Sequence, residues 1–425
     1  MTAGGPETFG GLVAGGGTVA GGGRAVTTWA AAAEAIGVRL RDVTVRNVVR
    51  ASVGGAGLRV RLTNAFGGRA VTFGRVCVGV PRAGAALEPG SNRGVTFGGR
   101  AGVTVEAGET VLSDPVPGLV AGRGRLAISV YVRGECGTLT GRNRATAPAC
   151  PPPAAPDAPG PWGASGPLPS AGVREPAVSP AYRSLPGDHA ADEGGGAYVE
   201  PVAVWHWLDA LTVVAPGPVT VVAALGDSLA VGVGSETGHG WADLLAHLSG
   251  VAVLNEGVSG GKVLAAGTGR PAEARLTAEV LTKPGIGTVI VQAGVNDLGA
   301  GARADDLVAA YRRMVAAAHA AGVRVIGGTV TPFAGADYHT EAGERARQAV
   351  NAFVREGGAF DAVADFDAAL RDPAAPARLL PRYDSGDHLH PSAAGHRAMA
   401  AAIDMPPAGW TTPLLRPSGP AHPPG

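Results

Sequence analysis

From Val219 onward, short apolar runs alternate with stretches of helical periodicity, and this alternation restricts the possible folds most strongly. The apolar runs predict buried strands at Val219–Leu225, Val251–Leu254, Thr288–Gln292, Val323–Gly327 and Ala362–Phe366. Helices are predicted at Asp305–Ala321, Glu341–Arg355 and Ser392–Ile403. Alternating β and α elements predict a parallel sheet covered by helices on both faces, with functional loops at the carboxyl ends of the strands.

The preceding half of the chain has a different pattern, in which short runs of alternating apolar and polar residues are separated by glycines. Leu58–Leu62 and Leu126–Val132 are examples, and strand character returns between Tyr198 and Val214. Repeated short strands predict an all-β sandwich domain over residues 25–217. Pro216-Gly217-Pro218 marks its boundary with a second domain of alternating strands and helices, which we predict over residues 218–405.

Three segments lack strand and helix periodicity. They are a flexible Gly-rich tail (1–24), a Pro/Gly-rich insertion (about 147–196) that we expect to be a loop or disordered, and a Pro-rich tail (406–425). The chain shows neither a signal peptide nor an apolar run of about 18 residues. The sequence therefore predicts a soluble protein without membrane insertion, cytoplasmic by default.

Composition and charge narrow the classes of partner. Lys plus Arg and Asp plus Glu both number 35, so no net positive charge is available to hold nucleic acid. The three cysteines, Cys77, Cys136 and Cys150, have no C-x-x-C spacing and no neighbouring His cluster, which disfavours a structural metal. Cys136 and Cys150 can close a disulfide loop, although buried free thiols fit an odd cysteine count equally well.

The tetrapeptide Gly226-Asp227-Ser228-Leu229 directly follows the first predicted strand. This position puts the Ser228 hydroxyl at the carboxyl edge of the sheet, where backbone N–H groups of a following helix can face developing negative charge. The alternative is a βα turn in which Asp227 or Ser228 only caps the helix.

The segments after the second and third strands offer hydrogen-bond donors at the same edge. Within Asn255–Gly261, Gly260 can bring its backbone N–H close to a substrate oxygen because no Cβ intervenes. After the third strand, the side-chain amide of Asn296 can donate to the same oxyanion. Ordinary turn chemistry explains both segments almost as well.

The fourth segment is Asp387-His388-Leu389-His390-Pro391. Asp387 lies three residues before His390, so its carboxylate can accept the imidazole N–H and fix the tautomer that takes the proton of Ser228. His388 shares the motif and provides an internal comparison. A His-x-His pair can instead bind metal, but the chain offers no obvious further ligand set, so the triad is favoured.

In order and spacing, the four segments resemble the four blocks of the SGNH, or GDSL, hydrolase superfamily, and the resemblance covers about Val219–Asp404. It implies a flavodoxin-like α/β/α sandwich that needs no metal or cofactor and hydrolyses esters or thioesters through an acyl-serine. The family's signature letters fall on Ser228, Gly260, Asn296 and His390, with Asp387 as the acid. Leu229–Gly232 departs from the polar run that often follows the serine in the family.

The β-rich half resembles the β-sandwich that precedes the catalytic domain in a bacterial subgroup of these hydrolases, whose members are often exported. The predicted substrates are carbohydrate O-acetyl esters or short-chain esters. The alternatives are acyl transfer to a sugar hydroxyl, and carbohydrate binding by a protein with an inactive hydrolase domain. Because all five candidate residues lie beyond Val219, we expect residues 1–217 to contribute substrate selection or stability rather than chemistry.

Overall fold

The computed structural model of the protein describes residues 23–37, 39–143, 181–236, 239–249, 251–267 and 269–405. Residues 1–22 of the predicted tail at 1–24, the predicted tail at 406–425, most of the predicted insertion and Cys150 lie outside these ranges. In chain order, the strands before residue 218 are β1 (Arg24–Ala30), β2 (Glu34–Ile36), β3 (Arg41–Arg50), β4 (Gly55–Thr63), β5 (Val71–Gly79), β6 (Pro81–Ala83), β7 (Ala86–Leu87), β8 (Arg93–Val95), β9 (Val103–Val105), β10 (Thr110–Leu112), β11 (Val116–Val120), β12 (Arg125–Glu135), β13 (Leu139–Asn143), β14 (Ala181–Pro186), β15 (Glu200–Val202), β16 (Val204–His206) and β17 (Leu208–Ala215).

Most of these strands belong to two antiparallel sheets. One has the order β1-β17-β4-β10, with β11 also beside β4, and the other has the order β15-β14-β3-β12-β5-β8, with β9 also beside β5. Buried apolar side chains of both sheets share one core, which includes Val45, Leu58, Val60, Ile128 and Leu211. A smaller sheet has the order β16-β13-β2. The alternating pattern of the N-terminal half therefore corresponds to a β-rich region.

The predicted insertion at about 147–196 is wrong at its C-terminal end, because Ala181–Pro186 form strand β14 between β3 and β15. The Ala181 side chain is fully buried, and the Ser184 hydroxyl accepts a hydrogen bond from the backbone N–H of Thr44 at 2.9 Å. Six residues ending in a proline carry too little periodicity to be recognised from sequence. Pairing with β3 makes this segment a strand.

The described cysteines are buried free thiols. The Cys136 thiol donates to the Leu40 carbonyl at 2.9 Å, and burial raises the pKa of Cys77 to about 11. Among the described residues, no helix has both the length and the apolar character that crossing a bilayer requires.

Strands and helices alternate after residue 218. The elements are β18 (Val221–Gly226), α1 (Ser228–Val231), α2 (Trp241–Ser249), β19 (Ala252–Gly257), α3 (Ala272–Arg275) continued by a π-turn (Leu276–Val280), β20 (Ile286–Gln292), α4 (Val295–Gly299), α5 (Ala304–Ala320), β21 (Arg324–Gly328), α6 (Glu341–Glu356), β22 (Ala362–Ala364), α7 (Phe366–Leu370), β23 (Arg371–Asp372), β24 (Ala375–Leu379), a 3₁₀ turn (Pro381–Tyr383) and α8 (Ala393–Ala401). The predicted strands and helices are confirmed to within a few residues. Strand β22 ends earlier than predicted because the Asp365 carboxylate caps α7.

The parallel sheet has the strand order β19-β18-β20-β21-β22, so the first strand in sequence lies between the second and the third. This is the 2-1-3-4-5 order of flavodoxin-like sheets. Gly226, the last residue of β18, is in register with Gly257 of β19 and with Gln292 of β20. The loops that carry Ser228, Gly260 and Asn296 therefore begin at the same level of the sheet.

The N-terminal sheets and the parallel sheet are in direct contact along β19. Ala31 forms a parallel bridge with Asn255, and the side chains of Ala252 and Leu254 belong to the core of the N-terminal region. A buried ion pair crosses the same contact, since Lys283 Nζ lies 2.8 Å from Glu256 and 3.6 Å from Asp209 of β17. Strand β19 is therefore an edge strand whose outer side is covered by the N-terminal half.

Candidate active site

Ser228 is the first residue of the short helix α1, and only Asp227 separates it from the end of strand β18. The Asp227 carboxylate caps this helix by accepting a hydrogen bond from the backbone N–H of Leu229 at 3.0 Å. The capping role considered as an alternative is thus present, but it belongs to Asp227. The Ser228 hydroxyl remains available, and its residue is 6% exposed.

The Ser228 hydroxyl is joined to a histidine and a carboxylate by a continuous chain of hydrogen bonds. His390 Nε2 lies 2.8 Å from Ser228 Oγ, and His390 Nδ1 lies 2.6 Å from Asp387 Oδ2. With the N–H on Nδ1, the unprotonated Nε2 faces the hydroxyl proton. This is the geometry that general-base activation of a serine requires.

The loop of residues 384–391 holds this geometry with its own backbone. Asp384 forms an antiparallel bridge with Pro391, and the backbone N–H of Ser385 donates to the His390 carbonyl at 3.0 Å. The Asp387 carboxylate also accepts from the His390 backbone N–H at 2.8 Å. Burial alone would raise the pKa of Asp387, but the hydrogen bonds and the charge of His390 lower it well below its usual range. Asp387 is therefore an anion at any pH near neutrality.

The structure separates the two histidines of the motif. His388 has a left-handed backbone (φ +62°) and pairs through Nδ1 with Asp384 Oδ2 at 2.6 Å. Its side chain is 48% exposed, whereas that of His390 is 16% exposed. Sequence reasoning missed Asp384, although its position four residues before His388 was a usable signal.

Gly260 and Asn296 lie on neighbouring loops that are hydrogen-bonded to each other. Gly260 has φ +70° in the turn after β19, and the Asn296 amide donates to the carbonyl of the adjacent Gly261 at 3.0 Å. Asp297, which the sequence analysis did not single out, accepts from the backbone N–H groups of Val263 and Leu264 at 2.8 and 3.0 Å. Asp297 thereby ties the glycine loop to the start of α4.

Two further side chains contribute to the surroundings of the site, and sequence reasoning missed the first of them, Tyr338. The Tyr338 hydroxyl lies 3.4 Å from Asn296 Oδ1, on the side of the amide opposite to the Gly261 contact. Asp227 is fully buried, and burial raises its pKa to about 6. The position of Tyr338 has no local pattern, because it depends on how separate loops meet, whereas the sequence indicated the cap role of Asp227 but not its burial.

His396 of α8 connects two segments that follow the nucleophile helix, the turn at Val233 and the start of α2 at Trp241. Its Nε2–H donates to the Val233 carbonyl at 3.0 Å, and its Nδ1 accepts from the backbone N–H of Trp241 at 3.3 Å. Both contacts need the neutral ring. Burial lowers the pKa of His396 from 6.5 to about 4.

The buried neutral His396 predicts an acid-sensitive contribution to stability. Its pKa is lower in the folded state than in the unfolded state, so this contribution is complete above pH 6.5 and is lost as the pH falls toward 4. The loss should reach about 3 kcal/mol. Urea unfolding of the wild type and of His396→Gln should show that the stability deficit of the variant shrinks by this amount between pH 7 and pH 4. A deficit that stays constant with pH would contradict the assignment.

Within the described residues, no group of three or more His, Cys, Asp or Glu side chains is arranged to hold a metal ion. A model of the GDSL-like lipase/acylhydrolase family matches residues 224–398. No curated protein sequence matches the chain.

Each of the solved structures that follow matches 43% of this chain. A protein assigned to the lipolytic G-D-S-L family from Desulfitobacterium hafniense is 23% identical, and the match covers 43% of this chain and 96% of that chain with a TM-score of 0.36. A GDSL-like lipase from Bacteroides thetaiotaomicron is 19% identical, with 43% and 84% covered and a TM-score of 0.35. An acetylxylan esterase from Geobacillus stearothermophilus is 21% identical, with 43% and 91% covered and a TM-score of 0.33.

Proposed function

Residues 224–398 belong to the GDSL-like lipase/acylhydrolase family, and on that premise we propose that the protein hydrolyses carboxylic esters through an acyl group carried on Ser228. The observation that carries the proposal is the hydrogen-bond chain from Ser228 Oγ through His390 to Asp387, at 2.8 and 2.6 Å. We further propose a flavodoxin-like α/β/α catalytic domain at residues 218–405 and a β-sandwich domain at residues 25–217.

In the proposed acylation step, Ser228 Oγ attacks the ester carbonyl carbon while His390 Nε2 takes the hydroxyl proton. The carbonyl oxygen becomes an oxyanion, and the backbone N–H groups of Ser228 and Gly260 together with the Asn296 amide hold it. The tetrahedral intermediate collapses, the bond to the leaving oxygen breaks, and His390 gives its proton to that oxygen. Asp387 stabilises the imidazolium that exists between these transfers.

Deacylation repeats the same steps with water as the nucleophile. His390 removes a proton from a water molecule, whose oxygen attacks the acyl carbon. His390 then returns the proton to Ser228 Oγ as the acid product leaves. The mechanism thus requires His390 as a base that alternates between its neutral and protonated forms, and Asp387 as the anion beside it.

Esters that join a small acyl group to a polar alcohol are the substrates that fit the surroundings of Ser228 best. The nucleophile is only 6% exposed, which favours a short acyl group. The rim is polar and open, since Gly260, Asp387 and His388 are all exposed there. Such a rim suits the hydroxyl groups of a carbohydrate, so we propose carbohydrate O-acetyl esters or short-chain esters as substrates.

A panel of p-nitrophenyl esters from acetate to laurate, together with peracetylated sugars, tests this proposal. Turnover should be highest for acetate, should fall with acyl length and should disappear in Ser228→Ala. Turnover of no ester by the wild type would favour carbohydrate binding by an inactive hydrolase domain. Product analysis with an added sugar acceptor separates hydrolysis from acyl transfer.

The Asn296 amide is expected to contribute as an oxyanion donor. Asn296→Ala should lower kcat by about 10² to 10³ with little change in KM, because the donor acts mainly in the transition state. Asn296→Asp should lose as much, since it keeps the oxygen near Tyr338 but has no N–H. Steady-state kinetics on the acetate ester provides the measurement.

Asn64→Ala is the matched control for the Asn296 variants. Asn64 is a buried amide that, like Asn296, donates to backbone carbonyl groups, but its partners Arg69, Val105 and Glu106 all lie in the N-terminal region. It should lower stability and leave kcat unchanged. An Asn296→Ala enzyme with wild-type kcat would remove Asn296 from the mechanism.

A further inference from the structure

Arg142 is a buried arginine of the N-terminal region whose guanidinium contacts the catalytic region. It lies on β13 and is 4% exposed. Its Nη1 donates to the Asn255 backbone carbonyl, and its Nη2 donates to Asn255 Oδ1 at 2.8 Å. One guanidinium fork therefore fixes both the backbone and the side chain of a residue in β19, the strand beside β18.

Asn255 connects Arg142 to the helix that carries the nucleophile. With its Oδ1 held by Arg142 and by the backbone N–H of Gly257 at 3.1 Å, the Asn255 amide can point in only one direction. Its Nδ2 donates to the carbonyl of Ala230, two residues after Ser228, at 2.7 Å. The path from Arg142 to the helix of Ser228 thus contains a single intervening residue.

The end of β19 also packs directly against the backbone of α1. A Cβ at Gly257 would lie 2.7 Å from the Val231 nitrogen and 2.9 Å from the Asp227 carbonyl oxygen, so only glycine fits there. On the other side, Arg275 donates to the Glu256 and Gly226 carbonyls at 2.6 and 2.9 Å. Helix α1 has only four residues, so these contacts determine its position more than its own hydrogen bonds do.

Burying a guanidinium is costly unless its charge is compensated. Burial lowers the pKa of Arg142, and the carboxylates of Glu34 and Glu256 act in the opposite direction. Glu34 lies on β2, next to β13, whereas Glu256 belongs to the catalytic region. The charge of Arg142 is therefore balanced from both sides of the contact.

We propose that Arg142 is a positioning residue, supplied by the N-terminal region, that acts through Asn255 and Ala230 to hold Ser228 in register with His390. The inference rests on the proposed function and extends it, because it gives the β-rich half a part in the catalytic geometry. A nucleophile displaced by about 1 Å can lose about 10² in rate. The proposal adds positioning of the nucleophile to the selection or stability that the sequence predicts for residues 1–217.

Arg142→Met tests the proposal in the full-length protein, because methionine fills much of the space and removes the fork. We expect kcat for the acetate ester to fall by about 10² while KM changes by less than about twofold. The rate at which a fluorophosphonate labels Ser228 should fall in parallel. This labelling reports the reactivity of the serine itself, and both rates are measured at a temperature at which circular dichroism shows a folded protein.

Arg46→Met is the matched control. Arg46 is an equally buried arginine, and its guanidinium donates to the Ala85 and Asp192 carbonyls and to Ser129 Oγ, all within the N-terminal region. This variant should be less stable but should keep the wild-type labelling rate while folded. Equal losses of labelling in the two arginine variants would show a general stability effect and would overturn the proposal.

Asn255→Ala provides a second test that does not depend on the folding of Arg142→Met. It removes the contact with Ala230 and leaves the backbone carbonyl to Arg142. It should lower kcat and labelling about as much as Arg142→Met, and the double variant should be no slower than either single variant. Wild-type rates in Asn255→Ala would overturn the inference. Failure of the proposed function would instead appear as absent turnover in the wild type.

Discussion

Ser228→Ala is expected to lower kcat for ester hydrolysis by about 10⁴ or more, because it removes the atom that forms the covalent intermediate. The variant should also resist fluorophosphonate labelling. Its circular dichroism and unfolding midpoint should match those of the wild type, since the Asp227 cap and the helix hydrogen bonds do not use the Ser228 hydroxyl. A variant that keeps more than a few per cent of activity would remove Ser228 from the mechanism.

Ser184→Ala is a suitable comparison for the serine variant. Ser184 is also a buried serine, but its hydroxyl accepts from the Thr44 backbone N–H within the N-terminal sheets. Losing this hydrogen bond should cost about 1 kcal/mol of unfolding free energy. Activity should remain, which separates loss of a hydroxyl in general from loss of the nucleophile.

His390→Ala is expected to lower kcat by about 10⁴ or more, whereas His388→Ala should lower it by less than about tenfold. Only His390 lies within hydrogen-bond distance of Ser228 Oγ, while His388 is exposed and paired with Asp384. The two variants therefore remove the same type of side chain from the same loop, and we expect a large loss of kcat for one and a small loss for the other. Steady-state kinetics on the acetate ester measures both.

A chelator provides the complementary measurement for the histidine pair. It should leave wild-type turnover unchanged, because the proposed mechanism uses no metal. Comparable losses in both histidine variants, or inhibition by a chelator that zinc reverses, would instead support a metal held by the His-x-His pair.

The catalytic fold was predictable because its determinants are local. Each parallel strand is an apolar run, and the helices at Glu341–Glu356 and Ala393–Ala401 begin after capping side chains, Thr340 and Ser392. Ser228, Gly260 and Asn296 follow three neighbouring strands that end at the same level of the sheet. Hydrophobic periodicity and chain order therefore determine which loops carry the site residues.

The unpredicted features depend on contacts between distant segments. Strand β14 is a strand because β3 offers it a free edge, and its own six residues do not specify this. The contact between Arg142 and Asn255 joins residues 113 positions apart. Nothing in the local sequence of Arg142 distinguishes it from an exposed arginine. Its role depends on the packing of two sheets, which the pattern of either sheet alone does not determine.

The contact along β19 bears on how the protein unfolds. The side chains of Ala252 and Leu254 belong to a catalytic strand, yet they pack in the core of the N-terminal region. Loss of that region would expose these side chains together with the unpaired edge of β19, which is the kind of surface that promotes aggregation. The two halves therefore stabilise each other, and heating should unfold them in one cooperative transition rather than one after the other. A single transition would mean that the proposed domains on either side of Pro216-Gly217-Pro218 do not fold independently.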